Sequence, residues 1–261
     1  MDQSRYIRET IAWSHGDLRP SQHWYLPLYP FLGVPFLLIT PKNPYFIPDI
    51  LCLVASCYLF LRIVSKFSYC FPYLRLIATV SFFIPWFCSG YGCLSWVQPW
   101  TTTLSTPLLL ALILSSIKFY ESRKAKYAFL CGSVWGLLLM TRPTEAVWIS
   151  IPSIFFCIYT VVVFKQPIKQ KIIISTYGIF PAILFIIICI YLHYICYGWS
   201  LGPYLSYSLD VGFDRRLLVT NWIEMVLGSQ PTHEKYYGLA YNFWWVLPGF
   251  AGILRARSES F

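Results

Sequence analysis

Arg142 is the residue most able to do chemistry by type and setting. It stands in Leu139-Met140-Thr141-Arg142-Pro143-Thr144-Glu145, between two apolar segments. A cation so placed is expensive to keep near hydrocarbon and marks a functional position by default. Pro143 cannot continue the preceding helix, so the arginine falls where the backbone turns. Its planar fork of donors suits a phosphate or carboxylate. The alternative is an anchoring role, either as an ion pair with Glu145 or with the side chain reaching to the membrane interface. A second group opens the chain. Asp2, Tyr6 and Glu9 fall on one helical face at i, i+4 and i+7. A carboxylate there, next to an apolar slot, could take a proton from a hydroxyl acceptor. By composition alone the segment reads as an ordinary polar N-terminus.

The stretch 195–241 carries Asp210, Asp214, Arg215, Arg216, Glu224, His233 and Lys235, interleaved with Trp199, Tyr204, Tyr236 and Tyr237. Cations beside aromatic rings suit a sugar phosphate held at headgroup level, and they equally suit a solvated loop at an aromatic belt. The nine cysteines mostly lie inside apolar runs, for example Cys52, Cys57, Cys131, Cys157 and Cys189. With no CxxC pair beside a matching Cys or His cluster, they read as small buried hydrophobes rather than zinc ligands. Cys88 and Cys93 are close enough in sequence to pair.

These residues must be positioned by membrane elements. Of 261 residues, 57% are hydrophobic and 12% charged, against about 25% charged in a soluble domain. Such a chain cannot cover a globule with polar surface, so lipid is part of its solvent. Its 11 Trp and 20 Tyr suit the membrane interface. The net charge of +9 would suggest nucleic acid in a soluble protein. Here the cations sit in short loops between apolar runs, which favours orientation signals and lipid headgroups over nucleic acid. Apolar runs long enough to span lie at 46–61, 74–91, 101–117, 127–141, 145–164, 172–194 and 242–255. Another stretch, 24–40, is interrupted by Pro27, Pro30 and Pro35 and is expected to dip into the interface rather than cross. Residues 1–23 are polar, without the apolar core of a cleavable signal.

The cations assign the sides. Loop 62–75 carries Arg62, Lys66 and Arg75; loop 118–126 carries Lys118, Arg123, Lys124 and Lys126; loop 165–171 carries Lys165, Lys169 and Lys171; the tail carries Arg255 and Arg257. Neighbouring pairs of these loops are separated by two spans, so all four can be cytoplasmic together. Residues 1–45, 92–100, 142–144 and 195–241 then share the non-cytoplasmic face. The expected fold is all-α: a polytopic transmembrane bundle of about seven spans, with a membrane-dipping N-terminal segment and one long external loop.

The order of motifs carries a family resemblance. Asp2-Gln3-Ser4-Arg5-Tyr6, then Gly16-Asp17, then Pro27-Leu28-Tyr29-Pro30 resembles the first external loop of the GT-C glycosyltransferases. These include protein O-mannosyltransferases and lipid A aminoarabinose transferases. Gly136-Leu137-Leu138-Leu139-Met140-Thr141-Arg142-Pro143 is similar to that family's later helix break, and Tyr197-Gly198 followed by Gly212-Phe213 to a stretch of its bacterial members. The resemblance covers nearly the whole chain. It implies a single GT-C-like domain over 1–261, incomplete at both ends. There are departures: no helix precedes Asp2, Trp24 with His23 beside it stands where many members carry Glu, and Thr103-Leu104-Ser105-Thr106-Pro107 lacks the acidic residue common there.

The resemblance implies transfer of a sugar from a polyprenyl- or dolichyl-phosphate donor to an acceptor hydroxyl outside the cytoplasm. Asp2 aligns with the family's catalytic base. Arg142, Arg215, Arg216, Tyr29 and His23 are expected among the substrate-binding residues. The partners implied are the bilayer, the lipid-linked donor and an acceptor of open identity. No metal ligands are assigned, and a divalent metal remains an open option. The expected location is the cell membrane, multi-pass, or the endoplasmic reticulum membrane in a eukaryote. The rival readings are a non-enzymatic polytopic protein, such as a transporter or complex subunit, and an inactive glycosyltransferase fragment. A transporter would more often show internal pseudo-symmetry, and no repeat is visible.

Overall fold

The computed structural model describes residues 2–67, 101–163 and 167–203, with isolated helical positions at 73–80 and 206. The chain divides into two units, Met1–Gly202 and Pro203–Phe261; all elements below belong to the first. The expected spans 74–91 and 242–255, the Cys88 and Cys93 pair, and Arg215 and Arg216 lie outside the described residues, those isolated positions apart.

Every regular element among the described residues is helical. They are α1 (Asp2–Ser14), the short α2 (Leu28–Gly33), α3 (Phe46–Phe67), α4 (Thr101–Ser122), α5 (Ala125–Leu139), α6 (Pro143–Val163) and α7 (Ile168–Tyr197). The last five begin and end close to the apolar runs read from the sequence. Among the described residues, three helical stretches are long and apolar enough to cross a membrane: Phe46–Lys66, Thr101–Ser122 and Ile168–Tyr197. Only 6% of the most apolar stretch of α7 is buried within the protein. Its 30 residues make a rod about 45 Å long, whose exposed Ile, Leu and Phe need hydrocarbon around them. Gly198, at φ 62, ends it.

The prolines have the effect expected of them. Between residues 24 and 40 the helical elements are the six-residue α2 and a 3-10 turn at Val34–Phe36; another 3-10 turn, at Pro20–Gln22, leads into the stretch. No spanning helix forms there, because three prolines close together remove three backbone donors from one short stretch, whereas α4, α6 and α7 each carry a single interior proline.

Close backbone approach holds α5 to α7. A Cβ on Gly132 would stand 1.9 Å from the Gly178 carbonyl oxygen, and one on Gly136 would stand 2.5 Å from Cβ of Phe185. In lipid, helices associate through such close packing rather than through hydrophobic exclusion, so small residues belong at the contact. The pairing of Gly132 with 178 and 181, and Gly136 with 185, makes the two helices parallel. On its other sides α5 meets α4, through Cys131 Sγ and Ser115 Oγ at 3.3 Å, and α6, through Trp135 Nε1 within 2.8 Å of Ser150 Oγ.

This connectivity sorts the helix ends. At one end Lys66 of α3 pairs with Glu121 of α4 at 2.8 Å, near Arg123 and Lys124. At the other, the Leu28 N–H donates to the Met140 carbonyl at 3.4 Å, Tyr197 Oη donates to the His23 carbonyl at 2.8 Å, and Leu104 packs on the N-terminal tyrosines. The N-terminal segment therefore covers the end of the bundle that holds the Arg142 turn.

Gly132→Ala should destabilise the protein by about 1–3 kcal/mol, the range for overpacking a tight contact. Gly178→Ala should be near neutral, because its Cβ would meet nothing closer than 3.6 Å. Thermal unfolding in detergent separates the two; equal losses would contradict the α5–α7 geometry.

Candidate functional site

The N-terminal segment folds around α1. Tyr6 and Glu9 are 3% and 1% exposed, so the face read from the i, i+4, i+7 spacing turns inward. Asp2 starts α1 in register with them, and its side chain lies outside the described residues. Tyr6, Tyr29 and Tyr45 form the core of the segment. The Tyr6 ring stacks on Tyr25 at 3.9 Å, and Tyr29 stacks on Tyr45 at 4.5 Å. Aromatic pairs of this kind add about 0.5–1.5 kcal/mol beyond the area they bury.

The polar groups beneath the tyrosines are satisfied in part. Tyr29 Oη donates to Asp49 Oδ1 at 2.8 Å. The Thr10 and Tyr45 hydroxyls meet, and both lie against the Tyr6 carbonyl. Burial pushes the Tyr45 phenol well up from its ordinary value. Asp49 Oδ2 is buried with no hydrogen-bond partner.

Glu9 is the hub. Its Oε2 accepts the backbone N–H groups of Trp24 at 3.2 Å and Tyr25 at 3.0 Å. Its Oε1 faces His23 Nδ1 at 3.7 Å, and neither of these two buried atoms has a hydrogen-bond partner. His23 Nε2 lies 2.6 Å from the Asp17 carbonyl oxygen. Burial raises the Glu9 carboxyl above its ordinary value of 4.5, against the pull of His23 and the two backbone donors. For His23, burial pulls downward, but the facing Glu9 carboxylate and the bond to the Asp17 carbonyl outweigh it and the imidazole is raised above 6.5. Asp17 is different: three donors from Arg19 hold its half-buried carboxyl at about 2.

The expected site residues are thus placed as follows. His23 and Tyr29 are both fully buried in the N-terminal segment, bonded to Asp17 and Asp49 rather than open to solvent. Arg142 lies at the α5–α6 turn, about 30% exposed, with Nη1 3.0 Å from Glu145 Oε1. Its backbone N–H caps α5 through the Leu138 carbonyl at 2.7 Å. Glu145 Oε2 is buried and unbonded. Along the outer face of α1 an open cleft of about 490 Å³ lies between Ser4, Arg8 and His15 and the loop residues Asp17, Arg19 and Gln22. No group of three metal-ligating side chains occurs among the described residues.

Sequence reasoning missed Asp49. A carboxylate inside the apolar run 46–61 carried a usable signal, since an ionisable residue in a membrane segment needs a named partner. No protein-family model, curated protein or solved structure matches this chain.

Tyr29→Phe strips Asp49 of its described donor and should destabilise the protein by about 1–3 kcal/mol. Combined with Asp49→Leu, the loss should be smaller than the two single losses added, because nothing polar is then left unmatched. Strict additivity in thermal unfolding would show that the pair is not coupled.

Proposed function

We propose that the chain is a membrane glycosyltransferase of the GT-C type, moving a sugar from a polyprenyl- or dolichyl-phosphate donor to an acceptor hydroxyl on the non-cytoplasmic face. It would cross the membrane about seven times. The family reading rests on the motif residues alone. One observation carries it further: the Leu28–Met140 hydrogen bond draws the Pro-Leu-Tyr-Pro segment against the turn that holds Arg142. The two stretches that carry the motifs, more than a hundred residues apart in sequence, meet at one end of the bundle.

In this reading Asp2 is the general base toward the acceptor. Arg142 neutralises the phosphate, which gains charge as the glycosidic bond breaks, so a preplaced cation stabilises the transition state selectively. Arg142 must then exchange its Glu145 partner for the phosphate. That carboxylate keeps the guanidinium oriented at the turn until the donor arrives. Direct attack inverts the sugar carbon. Tyr29 and His23 act from within, holding the shape of the segment. Leu38 and Ile39, 94% and 65% exposed at the tip of the proline-broken stretch, suit insertion into the outer leaflet, which would keep the segment at headgroup depth. A divalent metal and the Arg215 and Arg216 pair remain further candidates for phosphate contact.

The Arg142–Glu145 pair also favours a second reading, in which the arginine only anchors the turn of a non-enzymatic polytopic protein. Transfer from radiolabelled lipid-linked sugars in membranes distinguishes the two. Asp2→Asn should lower transfer by about 10²–10⁴-fold with protein level unchanged, since Asn cannot take the proton. Arg142→Lys should retain more activity than Arg142→Ala, keeping the charge while losing the fork. Undiminished transfer by Asp2→Asn would remove the catalytic assignment, and no transfer across a panel of donors would favour the anchoring reading.

A further inference from the structure

We propose that Glu9 and His23 form a proton-operated latch, in which one shared proton fastens residues 17–25 to α1 and to the end of α7. The inference stands apart from the glycosyltransferase reading.

Hydrogen-bond geometry requires the proton. The Asp17 carbonyl can only accept, so His23 Nε2, at 2.6 Å, carries a hydrogen. The state of Nδ1 is then open. Glu9 Oε2 is committed to the Trp24 and Tyr25 N–H groups, which leaves Oε1 as the atom facing Nδ1 at 3.7 Å. With no proton between them, two acceptors confront each other in a space where both side chains are 1% exposed. A buried acceptor without a donor is strongly unfavourable. With one proton, on either atom, the contact becomes attractive.

The latch holds three elements. Glu9 belongs to α1. The two amides it binds, and His23 itself, belong to the loop. The carbonyl of His23 accepts from Tyr197 Oη at 2.8 Å, across 174 residues of chain. The ring of Trp13, from the next turn of α1, lies against His23 at 4.4 Å.

Of the charged groups nearby, Arg5 lies over the Trp24 ring at 4.3 Å and Asp49 lies beneath the tyrosines, bonded to Tyr29 rather than to Glu9 or His23. On α1 the other neighbours of the pair are Tyr6 and Thr10. In the loop Asp17 is bound by Arg19. Tyr45, and Cys196 with Tyr197 at the end of α7, carry hydroxyls and a thiol that ordinarily ionise above about pH 8. Both members of the pair hold protons more tightly in the folded protein than free in water. By linkage, stability supplied by the pair is present at low pH and is lost as pH rises: from above 4.5 for Glu9 and from above 6.5 for His23. The latch is therefore closed in mildly acidic surroundings and released in alkaline ones.

Hydrogen exchange of the full chain in lipid nanodiscs, resolved at the Trp24 and Tyr25 amides and corrected for intrinsic exchange, tests this. In the wild type, protection of these two amides should fall by up to tenfold per pH unit once the pair has lost its proton. Amides of α5 and α7 should show no such fall. Glu9→Gln places an amide where the shared proton sits: its oxygen can accept from Trp24 and Tyr25 while its NH₂ donates to neutral Nδ1. This variant should keep its protection at alkaline pH. His23→Ala should lose it throughout. Wild-type protection independent of pH, or a Glu9→Gln variant that loses protection with the wild-type profile, would overturn the proposal.

Discussion

The contact on which the arrangement depends is the seating of the N-terminal segment on the end of the helix bundle. Among the hydrogen bonds that make it are Leu28 N–H to the Met140 carbonyl and Tyr197 Oη to the His23 carbonyl. Neither is strong alone; a typical bond of this sort contributes about 0.5–1.5 kcal/mol net. They matter because what lies behind each is stiff. Behind Leu28 is the tyrosine core with Asp49 beneath it. Behind His23 is Glu9, with its two backbone donors. The segment is held by buried polar groups each fixed on one side: Glu9 by two backbone N–H groups, His23 by the Asp17 carbonyl and Asp49 by Tyr29.

The membrane supplies the opposing constraint. Helices α3, α4 and α7 expose long apolar faces that only lipid can cover, and the polar groups collect at their ends. Lys66 and Glu121 meet at one end, beside cationic Arg123 and Lys124, while the carboxylates Glu9, Asp17 and Asp49 gather in or beneath the N-terminal segment at the other. The exposed Lys66–Glu121 pair contributes little energy. Its value is positional, since it puts the ends of α3 and α4 together. The close-packed glycines of α5 then bring α7 alongside, so that Tyr197 arrives where His23 can receive it.

Much of the scaffold was legible in the sequence. Apolar runs located five helices to within a few residues, and Pro27, Pro30 and Pro35 announced that 24–40 forms no spanning helix. Helical spacing put Tyr6 and Glu9 on one face, and that face is the buried one. What it could not give was the partner. His23 reaches Glu9 because residues 15–22 double back through Gly16, at φ 66, and a 3-10 turn. No periodicity encodes such a return. His23 and Tyr29, expected among the substrate contacts from motif position, are both buried within the segment. Arg142 was legible as unusual, and its proline turn is where expected. Its pairing with Glu145, at i+3, was one of two readings open in the sequence.

The central claim is that the N-terminal segment and the Arg142 turn occupy one non-cytoplasmic end of the bundle, with the cationic loops at the other. Single cysteines answer it, introduced at exposed Ser21 and Ser122 in a background with the nine native cysteines replaced. An impermeant thiol reagent is added to sealed cells. Position 21 should label at once and position 122 only after the membrane is opened. Labelling of both positions from the same side, or the reverse pattern, would contradict it.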